Sequence, residues 1–140
     1  MKILVALDNS NYATRVLDKA IEMTKLHEGV SLTAVNVINF APYFMNVGEM
    51  APDVQESIRA QADKLCAWAE EHAKEQGLAV DAVVQESYSP ADAIVKYAEK
   101  NEIDMIVIGH KGQSAIERFL LGSVAVRVVS HAPCSVLVVR

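Results

Sequence analysis

Apolar positions along the chain follow two alternating rhythms. Residues 2–8, 30–38, 79–86, 103–108 and 135–139 hold short, nearly unbroken runs of Val, Ile, Leu and Ala, the pattern of strands buried on both faces of a sheet. Between these runs apolar residues return every three or four positions. Ala13, Val16, Leu17, Ala20 and Ile21 make one such stripe, and Val54, Ile58, Ala62, Leu65 and Ala69 make a longer one. Ala91, Ile94, Val95 and Ala98 make a third, and residues 124–131 a fourth. This spacing predicts four amphipathic helices. Asn9 or Ser10 is the expected cap of the first, which should end near Glu28 and Gly29; Gly77 should stop the second. Ser89-Pro90-Ala91-Asp92 is a strong start for the third, with a serine cap, proline at the first helical position and an acid in the first turn. Ser123 is the expected cap of the fourth.

Strands alternating with helices imply a parallel sheet covered on both faces, joined by right-handed crossovers. A single α/β domain over residues 1–140 is expected. Open sheets of this kind bind ligands at the carboxyl ends of their strands, where Asp8 closes the first run and Gly109 the fourth. Residues 40–52, with two prolines, a glycine and three aromatics, interrupt the pattern as a loop. It reads equally as a lid, a partner surface or a connector folded onto the domain.

Composition narrows the classes. The hydrophobic fraction is 51% and the aromatic fraction 6%, which suits an aliphatic α/β interior. A formal charge of −5 disfavours a nucleic-acid partner, which needs a basic surface. Five apolar residues follow Lys2 before Asp8, too few for a membrane span or a signal-peptide core, so a cytoplasmic protein without membrane insertion is expected. Cys66 and Cys134 have neither a CxxC pattern nor ligand-like spacing and read as reduced, buried small hydrophobes. His27, His72 and His131 fall on helix faces or ends without metal-ligand spacing, and Trp68 reads as a packing residue.

The clearest chemical signal follows the fourth strand. Gly109 is followed by Gly112 three positions on and, after nine more residues, by Gly122 and Ser123. Glycines there allow close main-chain approach and positive φ, and the helix that follows presents unpaired N–H groups suited to an anion. No Walker-type G-x-x-x-x-G-K-[ST] and no G-x-G-x-x-G after the first strand are present.

The spacing Gly109-x2-Gly112-x9-Gly122-Ser123 resembles the Gly-2x-Gly-9x-Gly-Ser/Thr signature of the ATP-binding branch of the universal stress protein family, and the likeness extends over essentially the whole chain. The resemblance implies a Rossmann-like, adenine nucleotide alpha hydrolase-like fold: an open five-stranded parallel sheet in the order 3-2-1-4-5. It further implies ATP, accompanied by Mg2+ held mainly through phosphate oxygens and water. Asp8 would lie near the adenine and ribose, Val37 would offer backbone groups to the adenine edge, and Ala6, where the family often has proline, would form the floor. Ile108 and Gly109 would open the loop, and His110, Lys111, Gly112, Gln113 and Ser114 would follow ribose and phosphates. Gly122, Ser123 and Val124 would hold the distal phosphates.

In that strand order the run Val136, Leu137, Val138, Val139 lies at a sheet edge, and an apolar open edge invites pairing. The family commonly dimerises there, so a homodimer is expected, with further assembly open. The leading expectation is an ATP-dependent regulator of a protein partner, whose class extends to membrane transporters. Two alternatives stand beside it: a slow ATPase or phosphotransferase using Lys111 or His110, and an interaction module indifferent to nucleotide.

Overall fold

The computed structural model describes residues 1–41, 51–111 and 121–140. Its strands are β1 (Lys2–Ala6), β2 (Ser31–Asn39), β3 (Asp81–Ser87), β4 (Met105–Gly109) and β5 (Ser135–Val139); its helices are α1 (Ala13–Lys25), α2 (Pro52–Glu75), α3 (Pro90–Lys100) and α4 (Ser123–His131). The sheet order is β3-β2-β1-β4-β5 with every pair parallel, as expected from the resemblance.

Each strand contributes to two cores because successive side chains point to opposite faces. Ile3, Val5 and Leu7 pack with α1 and α2 on one face, together with Val107 and Val139. Leu4, Val35, Ile106 and Ile108 pack with Ile94 and Ala98 of α3 and Val128 of α4 on the other. Leu4, Val5 and Val107 are fully buried. Strands this enclosed need apolar residues at every position, which is why β1 and β4 read as unbroken runs.

Helix ends depart from expectation in instructive places. Ser89 caps α3 as expected, its Oγ accepting from Asp92 N–H. Asn9 and Ser10 do not cap α1: Tyr12 stands at the cap without a side-chain bond. Instead, Asp8 Oδ1 accepts from Ser10 N–H at 3.0 Å and Ser10 Oγ accepts from Tyr12 N–H at 3.3 Å, so these side chains shape the turn that precedes the helix. The helix also ends earlier than expected, at Lys25, four residues before Gly29 takes φ +75°. Gly77 does follow the end of α2, at φ +79°.

Candidate functional site

The turn after β1 is fixed from β2. Leu7 N–H donates to Val35 O at 2.9 Å, and the buried Asn36 side chain donates through Nδ2 to Leu7 O at 2.9 Å. Together they extend strand pairing one residue past β1, so that Asp8 leaves the sheet in a fixed direction. Ala6 pairs with Val35 on one side and Ile108 on the other. Val37, two residues beyond Val35, stands level with Asp8, so Ala6, Asp8, Val37 and Ile108 gather at one end of three adjacent strands. The only sequence signal for Asn36 is a polar residue inside an otherwise apolar strand.

Gly109 closes β4 in register with Val139. A Cβ there would meet Val16 Cγ2 at 3.2 Å and Lys111 O at 3.4 Å, so a side chain at this position would require Val16 of α1 to give way slightly. Positive φ, expected of these glycines, is found at neither Gly109 nor Gly122. His110 then ties three elements through its backbone: its N–H donates to Val139 O at 2.6 Å, and its carbonyl accepts from Gly122 N–H at 2.9 Å. The second bond holds the start of α4 against the end of β4. Gly112, Gln113 and Ser114 lie outside the described residues.

Ser123 is not the cap of α4. Gly122 occupies that position with φ −59° and ψ 151°, and no side chain bonds the first turn. Ser123 is instead the first helical residue and is exposed, while Val124 is half-buried. The physical reason is the bond from Gly122 N–H to His110, which fixes Gly122 in extended geometry and starts the helix after it. The N–H groups of Ser123, Val124 and Ala125 belong to the turn that no intrahelical carbonyl reaches, and they carry the positive end of the helix dipole.

Apart from Asp8, the ionisable groups of the site are basic. The His110 imidazole is held below its ordinary range, first by partial burial and then by the charges of Arg140 and Lys111. Both cysteines are free and half-buried rather than fully buried; burial first, then neighbouring acids, pushes the Cys66 thiol up, and burial likewise raises Cys134. Such thiols stay protonated. No group of three His, Cys, Asp or Glu side chains suited to a metal ion occurs among the described residues, so an ion accompanying a nucleotide would rely on phosphate oxygens and water. No described helix is long and apolar enough to cross a membrane.

His72 and Trp68 lie away from this end of the sheet and are structural. His72 Nε2 stands 2.6 Å from Asp18 Oδ1 and Gln76 Nε2 donates to the same oxygen at 2.9 Å, joining α2 to α1. Partial burial raises the Asp18 carboxyl, but these two hydrogen bonds outweigh it and hold the group below its usual range. Trp68 stacks on His72 with ring centroids 5.3 Å apart.

Residues 1–140 match a family model described as the universal stress protein family. A universal stress protein of Methanocaldococcus jannaschii is 31% identical over 140 residues, spanning 99% of this chain and 81% of the relative. A putative universal stress protein of Staphylococcus haemolyticus is 35% identical over 139 residues, spanning 99% and 83%. Among solved structures, the universal stress protein of Archaeoglobus fulgidus in complex with dAMP superposes with a TM-score of 0.75 at 26% identity, covering 100% of this chain and 98% of that one.

Proposed function

Because the chain belongs to the universal stress protein family, we propose that it binds an adenine nucleotide, ATP with Mg2+, across the carboxyl ends of β1 and β4. The observation that carries this reading is the start of α4: a first turn without a side-chain cap, held against β4 through Gly122 and His110. An anion placed there meets aligned N–H donors and the positive end of a helix. The dAMP complex of the Archaeoglobus fulgidus relative supports the nucleotide class. Asp8, Ala6 and Val37 face the base and ribose end, and Gly109, His110, Gly122, Ser123 and Val124 the phosphate end. Nucleotide occupancy then regulates assembly or the capture of a protein partner, membrane transporters included.

Titration of ATP, ADP and AMP with Mg2+ into protein stripped of carried nucleotide tests this reading. The backbone of Gly122, φ −59° and ψ 151°, suits residues with side chains, so Gly122→Val should fold while its isopropyl group crowds the anion seat. Binding by the parent and its loss in Gly122→Val is the expected result. A parent that binds no adenine nucleotide sinks the proposal.

We also propose that the chain forms a homodimer through β5. Val139 turns its carbonyl toward His110, the residue after β4, so by strand alternation Val136 and Val138 turn their backbone groups outward. Val126 and Val129 of α4, the helix packed over β5, are 47% and 49% exposed. An open strand edge beside exposed valines supports pairing with a second copy.

A further inference from the structure

We infer that Arg140 and Arg15, with His110 and Lys111, form a cationic seat for the outermost phosphate of a bound nucleotide, and so set its preference for a triphosphate over a monophosphate. This rests on the nucleotide reading above. The four side chains come from three places in the chain. Pairing of Gly109 with Val139, and the bond from His110 N–H to Val139 O, bring Arg140 beside His110 and Lys111. Arg15, in the first turn of α1, donates through Nη1 to Arg140 O at 3.1 Å, which carries its guanidinium to the same corner. The His110 imidazole, held below its ordinary range first by partial burial, also feels the charges of Arg140 and Lys111.

This concentration of cations stands out in a chain of formal charge −5. The salt bridges among the described residues join Lys19 to Glu22, Arg59 to Glu86, His72 to Asp18 and Arg127 to Asp92; none joins these four groups to an acidic side chain, and Arg15 spends one N–H on Arg140 O. Cations held together repel, and an anion between them relieves that repulsion. The guanidinium groups also offer forked donors matched to phosphate oxygens.

Distance selects the outermost phosphate. With strands spaced about 4.8 Å apart, β5 lies roughly 10 Å from β1 across the sheet. A base seated by Asp8 and Val37 therefore directs its phosphate chain past β4 to the start of α4, where Gly122, Ser123 and Val124 take the distal phosphates. The outermost of these extends toward β5 and Arg140. Arg15 and Arg140 are exposed, so replacing them should leave the core intact.

Calorimetric titration of ATP and AMP, each with Mg2+, into the parent protein and the Arg15→Gln/Arg140→Gln double variant tests the seat. ATP affinity should fall about tenfold or more, as expected for lost charge-assisted hydrogen bonds. AMP affinity should stay within about twofold, and Arg140→Lys alone should recover part of the ATP preference. Equal losses for ATP and AMP, or unchanged ATP affinity at an unchanged melting temperature, overturn the inference. Should the parent bind neither nucleotide, the nucleotide reading fails by itself, and inorganic tripolyphosphate becomes the probe of the corner. Its binding to the parent and loss in the double variant supports the seat; its failure to bind the parent rejects it.

Discussion

The two edges of the sheet are built on opposite principles. At β3, alternate residues turn their backbone groups away from β2, and side chains take them up. Glu70 of α2 accepts from Ala82 N–H at 3.2 Å, and Gln85 Nε2 donates to Val84 O at 3.3 Å. Arg59 of α2 pairs with Glu86 on the same strand. At β5 the corresponding outward positions are Val136 and Val138, flanked by the exposed Val126 and Val129, with no side-chain bond to the strand's outward backbone groups among the described residues. One edge is closed with charge and amide groups; the other is left apolar. A second strand can add where backbone donors and acceptors are unclaimed, so the difference favours β5 over β3 as the seam of the proposed dimer.

The sharpest break of this contrast is proline at matched outward positions. Val138→Pro removes a donor that β4 does not use, whereas the same loss at an inward position would cut the ladder. Sedimentation should show the proposed dimer weakened by on the order of a hundredfold, with a charged variant, Val126→Glu/Val129→Glu, giving a similar loss from surface that the monomer already exposes. Val84→Pro at the other edge should leave the assembly state unchanged. A dimer that survives Val138→Pro and dissociates on Val84→Pro reverses the assignment of the edges.

A smaller effect is expected from opening the closed edge. Glu70→Ala combined with Gln85→Ala frees Ala82 N–H and Val84 O to water or to another chain. Each lost bond should cost about 1 kcal/mol of stability or less, since water replaces the partner. The informative readout is a concentration-dependent increase in mass beyond the dimer, which a purely local role for these side chains would not produce.

How far the sequence discloses this arrangement depends on the range of the interaction. The unbroken runs of β1 and β4 and the Ser89-Pro90-Asp92 start of α3 are local patterns, and the structure places them as read. The glycine spacing marks a stretch in which Gly122 N–H meets His110 O, while Gly112 lies outside the described residues. Missing from the local pattern are bonds between distant residues: Asn36 to Leu7, His72 to Asp18 and Glu70 to Ala82. A hydrophobic rhythm reports which face is buried, but it carries no record of which amide or carboxylate crosses to another element. Ser123 shows the same limit on a smaller scale. Its residue type favours a cap, yet the bond from Gly122 to His110 moves the cap back by one residue.

The pH dependence of stability provides a finer probe of the ground next to β5. His110 has its imidazole held below the ordinary value of 6.5 by partial burial and by Arg140 and Lys111. The unfolded chain therefore binds more protons than the native one in this range, so stability rises with pH. This contribution is complete above 6.5 and is lost as pH falls through the lower native value. Thermal melts of the parent and His110→Gln across that interval should differ in slope, with the parent steeper. Arg140→Gln should flatten the parent's slope in part, whereas Arg59→Gln, near the opposite edge, should not. Equal slopes for the parent and His110→Gln would mean that His110 does not feel the charge of the β5 corner.

The smallest expected effect comes from the ion pair on β3. Arg59 and Glu86 keep side-chain exposures of 56% and 38%, so water and salt screen their attraction. Arg59→Gln should change stability by about 0.5 kcal/mol or less. Its value lies in separating two ways of closing an edge. Hydrogen bonds from Glu70 and Gln85 occupy backbone groups directly, while the ion pair adds charge without occupying any. Closure by occupied backbone groups predicts that Arg59→Gln remains unassociated at this edge at low and high salt, whereas the Glu70→Ala/Gln85→Ala variant associates at both. Closure by charge predicts the reverse order, with association of Arg59→Gln rising as salt is added. Mass measurements at two ionic strengths decide between them, because screening acts on the charge and leaves the hydrogen bonds in place.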